Sequence, residues 1–322
     1  MHDVYDVAAL GEALIDFACL DTDEQGYPTL AAQPGGAPAN FLAAVARLGG
    51  SAAFLGKVGD DVFGRLLKKT LDRAGVETRG MVLDGNAFTS MAFVTLDENG
   101  ERAFSFARKP GADTRLQTEE VDYDLLDRAK VFHFGTLSLT DQPARYTTQQ
   151  AVRYAKKKEK LISFDPNIRI DLWADADDAR EQMLWGLLQA DVAKISGEEA
   201  EFLFGREPED CARQILGLMG VKLVFITCGS RGAYAANANA NLWVPALEGL
   251  HTVDTTGAGD IFGGSALWKL LQMGKAPEAL EEEELREIAR FACAAAGLST
   301  EKRGGIGSAP DLAAVLEKLQ NN

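Results

Sequence analysis

Short apolar runs alternate with amphipathic stretches along most of this chain, and that alternation constrains the fold more than any other feature. Residues 7–17 read as a strand. A helix over 40–48 follows, stopped at Gly49-Gly50, then a short strand over 52–55 and a helix over 62–74 stopped by Gly75. Further strands are expected at 131–134, 161–164, 192–195 and 223–227, with helices near 144–157, 179–189 and 209–219. The strands are short and almost wholly apolar, as strands covered on both faces are. This order predicts an α/β fold: a central, mainly parallel sheet flanked by helices on both faces.

One region breaks the pattern. Residues 90–96 and 102–108 flank Asp97-Glu98-Asn99-Gly100, and Asn99-Gly100 is a strong hairpin turn. With the segment around 14–30, this hairpin is expected to form a small β-sheet lid, its segments at about 12–34 and 87–110. The whole chain, 1–322, otherwise reads as one domain. The repetitive patch at 235–241 suits a loop or turn between two strands.

The formal net charge of -15 should repel nucleic acid backbones and anionic membranes. A local basic pocket for a small phosphate compound is compatible with it. The acidic run 281–284 reads as the solvated start of a helix, where carboxylates suit the dipole. Cys19, Cys211, Cys228 and Cys293 are scattered, with no zinc or disulfide pattern. The N-terminus carries no secretory pattern, and no run of eighteen apolar residues occurs, so a cytoplasmic protein is expected.

The strongest chemical motif is Asp254-Thr255-Thr256-Gly257-Ala258-Gly259-Asp260, followed by an apolar helical stretch. Glycines at a helix start let successive backbone N–H groups gather around phosphate oxygens, with the positive end of the helix dipole behind them. Asp260 would point into the same space and could take the proton from an attacking hydroxyl. The simpler alternative makes Asp260 an N-terminal cap. A second motif, Pro34-Gly35-Gly36-Ala37-Pro38-Ala39-Asn40, joins two glycines that allow close approach to an amide that both donates and accepts. Its simpler alternative is a tight turn with Asn40 as cap. No G-x-x-x-x-G-K-[ST] loop is present, and Gly257-Ala258-Gly259 lacks the third glycine of a dinucleotide fingerprint.

Together these motifs resemble those of the ribokinase-like PfkB carbohydrate kinase family. The 35–40 stretch, with Gly56-Lys57-Val58-Gly59-Asp60-Asp61 and Gly64 beyond it, is similar to the family's N-terminal signature, and 254–260 to its C-terminal signature. The resemblance spans the chain. It implies transfer of the ATP γ-phosphoryl group to a sugar hydroxyl. By position it implies Asp260 as general base, Gly257, Ala258 and Gly259 as anion hole, and Asp16, Gly35, Gly36 and Asn40 as sugar contacts. On the nucleotide side it implies Lys194, Thr227, Gly229, Ser230 and Gly232, with Cys293 near the adenine. Phe106-Ala107-Arg108-Lys109-Pro110-Gly111-Ala112-Asp113 and Phe164-Asp165-Pro166-Asn167-Ile168-Arg169 resemble stretches of fructokinases and 2-keto-3-deoxygluconate kinases, placing Phe106, Arg108 and Arg169 at the acceptor.

The resemblance further implies Mg²⁺, with Glu199 organising the ion and its waters, although Ser196 stands where the family often has asparagine. It implies K⁺ beside the anion hole, held by Asp254, Thr256, the segment 299–304 including Ser299 and Gly304, and Ser308. Gly264-Ser265 departs from the family's frequent Gly-Gly, and Cys293 from a frequent asparagine. Partners are then a small sugar and ATP, with a homodimer paired through the lids as a further expectation. Fructose is the expected acceptor, and 2-keto-3-deoxygluconate or ribose are the alternatives. A non-catalytic sugar- or nucleotide-binding regulator should have lost Asp260 or the glycines, and this chain keeps them.

Overall fold

The computed structural model describes residues 4–96 and 102–321. In chain order the strands are β1 (Tyr5–Leu10), β2 (Leu14–Thr22), β3 (Pro28–Gly35), β4 (Ala52–Gly59), β5 (Val76–Glu77), β6 (Met81–Asp84), β7 (Met91–Leu96), β8 (Arg102–Ala107), β9 (Ala129–Phe134), β10 (Leu161–Phe164), β11 (Val192–Ser196), β12 (Leu223–Thr227), β13 (Ala233–Asn237) and β14 (Asn241–Val244). The helices are α1 (Ala37–Arg47), α2 (Val62–Ala74), α3 (Tyr123–Asp127), α4 (Ala144–Lys157), α5 (Ala176–Gln189), α6 (Gly197–Phe204), α7 (Pro208–Met219), α8 (Ala258–Met273), α9 (Glu282–Ser299) and α10 (Leu312–Gln320).

The large sheet runs β14-β13-β12-β11-β10-β9-β1-β4-β5, with β6 also on β4. From β12 to β5 its pairings are parallel, and β13 and β14 close that edge as antiparallel strands. Strand periodicity divides β1 between two cores. Val7 and Ala9 pack toward residues of α1, α8 and α9, such as Phe41, Phe262 and Phe291. Ala8 and Leu10 pack toward residues of α4, α5 and α7, such as Val152, Met183 and Ile215. Both faces are covered, which is why the strands read as unbroken apolar runs.

A separate four-stranded sheet has the order β3-β2-β7-β8. It falls in the two segments expected to leave the main sheet. The expected Asn99-Gly100 turn lies outside the described residues.

Two expectations change. The strand read over 7–17 is two strands in different sheets, β1 and β2. The chain leaves the main sheet at Gly11, where a Cβ would stand 2.6 Å from Pro38 Cγ. The patch at 235–241 does hold the connection between β13 and β14, at 238–240, but it begins as strand: Ala235 and Ala236 pair with Phe225 and Val224, and both are buried. Their small side chains suit a position covered on both faces.

Local chemistry fixes the helix ends. The Asp61 carboxylate caps α2 by accepting from Phe63 N and Gly64 N, and Gly75 ends it with φ 89°. Glu281 and Glu284 form a capping box at the start of α9, which accounts for the acidic run. Among the described residues no helix is long and apolar enough to cross a membrane.

Candidate active site

Asn167, beyond the carboxyl end of β10, and Lys194, near that of β11, reach the start of α8; ligands bind at such strand ends in open α/β sheets. Asp260 is the third residue of α8 and is buried. It does not cap the helix. That place belongs to Gly257, with φ 77° and no side chain to offer. The Asp260 carboxylate instead accepts a hydrogen bond from Asn40 Nδ2 at 2.8 Å and lies 3.5 Å from Asn167 Nδ2. Burial raises its pKa, and the Asn40 bond, Lys194 and Arg169 pull the other way.

Asn40 is not a cap either. It lies inside α1, whose N-cap is Gly36. Its amide is packed against the glycine turn, because a Cβ at Gly257 would stand 3.0 Å from Asn40 Nδ2. The two motifs, 220 residues apart between Asn40 and Asp260, therefore meet directly.

Lys194 projects from β11 and is buried. Its Nζ is 3.1 Å from Asp165 Oδ2, and a Cβ on Gly259 would stand 2.9 Å from Nζ. Burial works against its charge, but the carboxylates of Asp165, Glu199 and Asp260 hold its pKa above the usual value. A fixed ammonium and a helix start thus act together on one small volume, which favours an anion there.

Asp16 sits on β2 with its carboxylate over Gly35, where a Cβ would stand 2.3 Å from Oδ2. Burial pushes its pKa to about 7; Arg169 lowers it, while Asp260 and Asp254 raise it. Arg169 is half-buried in the loop after β10, with Nη1 2.9 Å from Ile168 O. Phe106 on β8 pairs with Ala92, and Ala92 with Asp16, so all three side chains share a face of the small sheet.

Glu199 is buried and takes one backbone donor on each oxygen, Ile168 N at 2.8 Å and Ser196 N at 2.7 Å. Ser196 Oγ accepts from Glu199 N at 3.1 Å, so the serine completes a capping box. Beyond it, Thr227, Gly229 and Ser196 border a cleft of about 430 Å³ that also touches Arg231. Gly229 has φ 54° and open space around its Cα, and Ser230 is exposed. Gly232 is required by packing, since a Cβ would lie 2.0 Å from Val244 O. Cys293 is in the main core on α9, its thiol pushed up to about 12 by burial.

The C-terminal loop is tied to the α8 motif. Asp254 accepts from Thr256 N, Thr256 Oγ1 and Gly304 N at 2.9, 2.8 and 3.0 Å. Ser299 Oγ and Ser308 Oγ each donate locally, to Ala296 O and Gly305 O.

Arg108 is placed differently from the others. It is fully buried, and its guanidinium bonds Asp113, Thr140 Oγ1 and Leu137 O, each at 2.7 Å. Those bonds tie the end of β8 to the loop after β9. Two buried groups, Glu12 and Asp165, and the half-buried Asn167 carry no signal of their own in the sequence. The Glu12 carboxylate accepts from Ala37 N at 2.8 Å, so it serves the α1 start that Gly36 cannot cap. A helix start with no Ser, Thr, Asp or Asn in place was the available signal. Asp165 and Asn167 lie in the 164–169 stretch, in which the resemblance points to Arg169.

A helix start that gathers an ammonium, glycine backbone and a buried carboxylate, on an open sheet with a second small sheet, defines a small-molecule phosphotransferase. The chain belongs to the pfkB family of carbohydrate kinases, which it matches over residues 5–312. It is 42% identical to Fructokinase-1 of Zea mays, over 98% of this chain and 97% of the other. The fructokinase of Xylella fastidiosa with bound ATP superposes with a TM-score of 0.90 at 32% identity, covering 99% of each chain. A fructokinase of Vibrio cholerae O395 in a fructose, ADP and calcium ion bound form gives 0.85 at 32% identity, over 99% of this chain and 100% of that one.

Proposed function

We propose that this chain transfers the γ-phosphoryl group of ATP to a hydroxyl of fructose. The observation that carries the reading is the Asp260 carboxylate, buried at the start of α8 and held at 2.8 Å by Asn40. Burial raises its pKa, which makes this carboxylate a stronger base than a solvated one. The relatives named above are fructokinases, and that supports the choice of sugar.

In this reading the acceptor hydroxyl lies against Asp260, which takes its proton as the oxygen attacks phosphorus. A new P–O bond forms and the bond to the ADP oxygen breaks. The backbone N–H groups at 257–259 and the Lys194 ammonium stabilise charge on the moving phosphoryl group. Asp16 accepts hydrogen bonds from sugar hydroxyls, with Asn40 and the Gly35-Gly36 backbone beside it, and Arg169 balances the charge of both carboxylates. Phe106 supplies an apolar wall from the small sheet, which acts as the lid. Thr227, Gly229, Ser230 and Gly232 border the nucleotide side, with Cys293 as an apolar core neighbour. Arg108 acts on the site by holding the base of the lid.

The Glu199 carboxylate, buried and fixed by Ile168 N and Ser196 N, fits Mg²⁺ held largely through phosphate oxygens and waters. Bound there, the ion would neutralise phosphate charge, with Glu199 and its anchored carboxylate orienting its waters. Asp254, Thr256, Gly304, Ser299 and Ser308 frame the loop to which we assign K⁺. Replacing K⁺ by a bulky organic cation at constant ionic strength should lower turnover, and a flat response removes that assignment.

The direct test is kcat/KM in a coupled ADP-release assay with fructose, ribose, glucose and 2-keto-3-deoxygluconate. Fructose should lead. A site built around hydroxyls leaves polar groups unpaired when one is missing. If the sugar acid leads, the fructose reading is wrong.

A further inference from the structure

Antiparallel strands place directly opposed side chains on one face of a sheet. Asp16 on β2 is opposed by Gln33 on β3, so both project from the same face of the small sheet. The neighbouring positions of that face are Ala18, Ala31, Ala92, Val94 and Phe106, none of which carries a hydrogen-bonding side chain. Gln33 is the polar partner of Asp16 among them.

Both residues line one cleft of about 160 Å³, with Val94 on their side and Asp254, Thr256, Arg303 and Gly304 across it. The Gln33 amide reaches over the cleft: a Cβ on Gly304 would stand 2.6 Å from Gln33 Oε1. Gly304 is itself held by Asp254 Oδ2. Asp260 is not among the residues of this cleft, whereas the Asp16 carboxylate senses the charges of both Asp260 and Asp254. Asp16 thus lines the cleft beside Gln33 and lies within electrostatic reach of Asp260.

We propose that Gln33 is a specificity-determining residue, hydrogen-bonding an acceptor hydroxyl at the end of the sugar away from Asp260. An amide both donates and accepts, which suits a hydroxyl and offers no charge to a carboxylate. This inference rests on the sugar kinase reading above. It adds a second polar contact from the small sheet, so the sugar is gripped by two opposed strands.

The test is a cycle between Gln33→Ala and a set of monodeoxy analogues, made on whichever sugar the wild-type enzyme uses best. Wild-type turnover on that sugar judges the kinase reading by itself. For the mutant, kcat/KM on the full sugar should fall about 5- to 100-fold, the cost of leaving a hydroxyl unpaired in the site. The loss should lie mainly in KM, with the KM for ATP unchanged. For one analogue the mutation should cost almost nothing, because the hydroxyl that Gln33 contacts is already gone. Gln33→Glu, which keeps an acceptor, should recover part of the loss. Calorimetric ATP binding and the melting temperature confirm that each variant is folded. An equal loss with every analogue would make Gln33 a strut between the small sheet and Gly304. No loss at all would remove it from the site.

Discussion

The chain carries two glycine-rich signatures, and the glycines do different work in each. In the first, Gly36, Gly56 and Gly64 answer to packing of the chain upon itself, while Gly35 lies under the Asp16 carboxylate. A Cβ would lie 2.6 Å from Glu12 O at Gly36, 2.4 Å from Gly11 O at Gly56 and 1.9 Å from Gly59 O at Gly64. These neighbours are backbone and cannot step aside. In the second signature functional side chains stand among the nearest atoms: Asn40 Nδ2 at 3.0 Å from a Cβ on Gly257, level with Gly305 Cα, and Lys194 Nζ at 2.9 Å from one on Gly259. One segment is glycine because the scaffold closes there. The other is glycine because charged and polar groups, and a phosphate in our reading, converge on a helix start.

That contrast can be broken by substitution. Gly259→Ala should push the Lys194 ammonium away and lower kcat by about 10²-fold, the order seen when one preorganised donor is lost. Its melting temperature should hardly move. Gly64→Ala should do the reverse. Forcing a methyl against fixed backbone costs about 1–3 kcal/mol, seen as a lower melting temperature with near-normal kcat in the folded fraction. Steady-state kinetics and calorimetry on the pair decide it. If Gly259→Ala destabilises and keeps its turnover, the two segments do not differ as described.

A smaller effect separates binding from chemistry. Asp16 is pushed up to about 7, so it gains a proton as pH falls through that value and then ceases to be a full acceptor. The KM for fructose should rise below about pH 7, by roughly tenfold per unit at most. Asp16→Asn should show a high KM that no longer varies there. An unchanged pH dependence in that variant would assign the titration to another group.

Much of the fold was legible because both faces of the main sheet are buried. The runs at 161–164 and 223–227 coincide with β10 and β12, and the helix expected over 62–74 coincides with α2. The reading failed where a run of one hydrophobic character changes sheet. Residues 7–17 carry no turn pair, yet the chain crosses from the large sheet to the small one at Gly11–Ala13, because Pro38 closes against Gly11. The site was legible at its two motifs and less so between them. Nothing local in the sequence says that Asn40 reaches Asp260, or that Lys194 lies beside Gly259; both depend on which strands become neighbours. Arg108 differs: the resemblance places it at the acceptor, and in the fold Asp113, Thr140 and Leu137 O take its donors. Glu12 was overlooked because a buried glutamate that serves a distant helix start has no sequence pattern of its own.

The most direct measurement is turnover and binding of the Asp260→Ala protein. Removal of a general base should lower kcat by about 10²- to 10⁴-fold. Calorimetric binding of ATP and of fructose should change far less, and the melting temperature should confirm an intact fold. Near-wild-type kcat in that variant would contradict the assignment of Asp260 as the base and, with it, the account of how this site works.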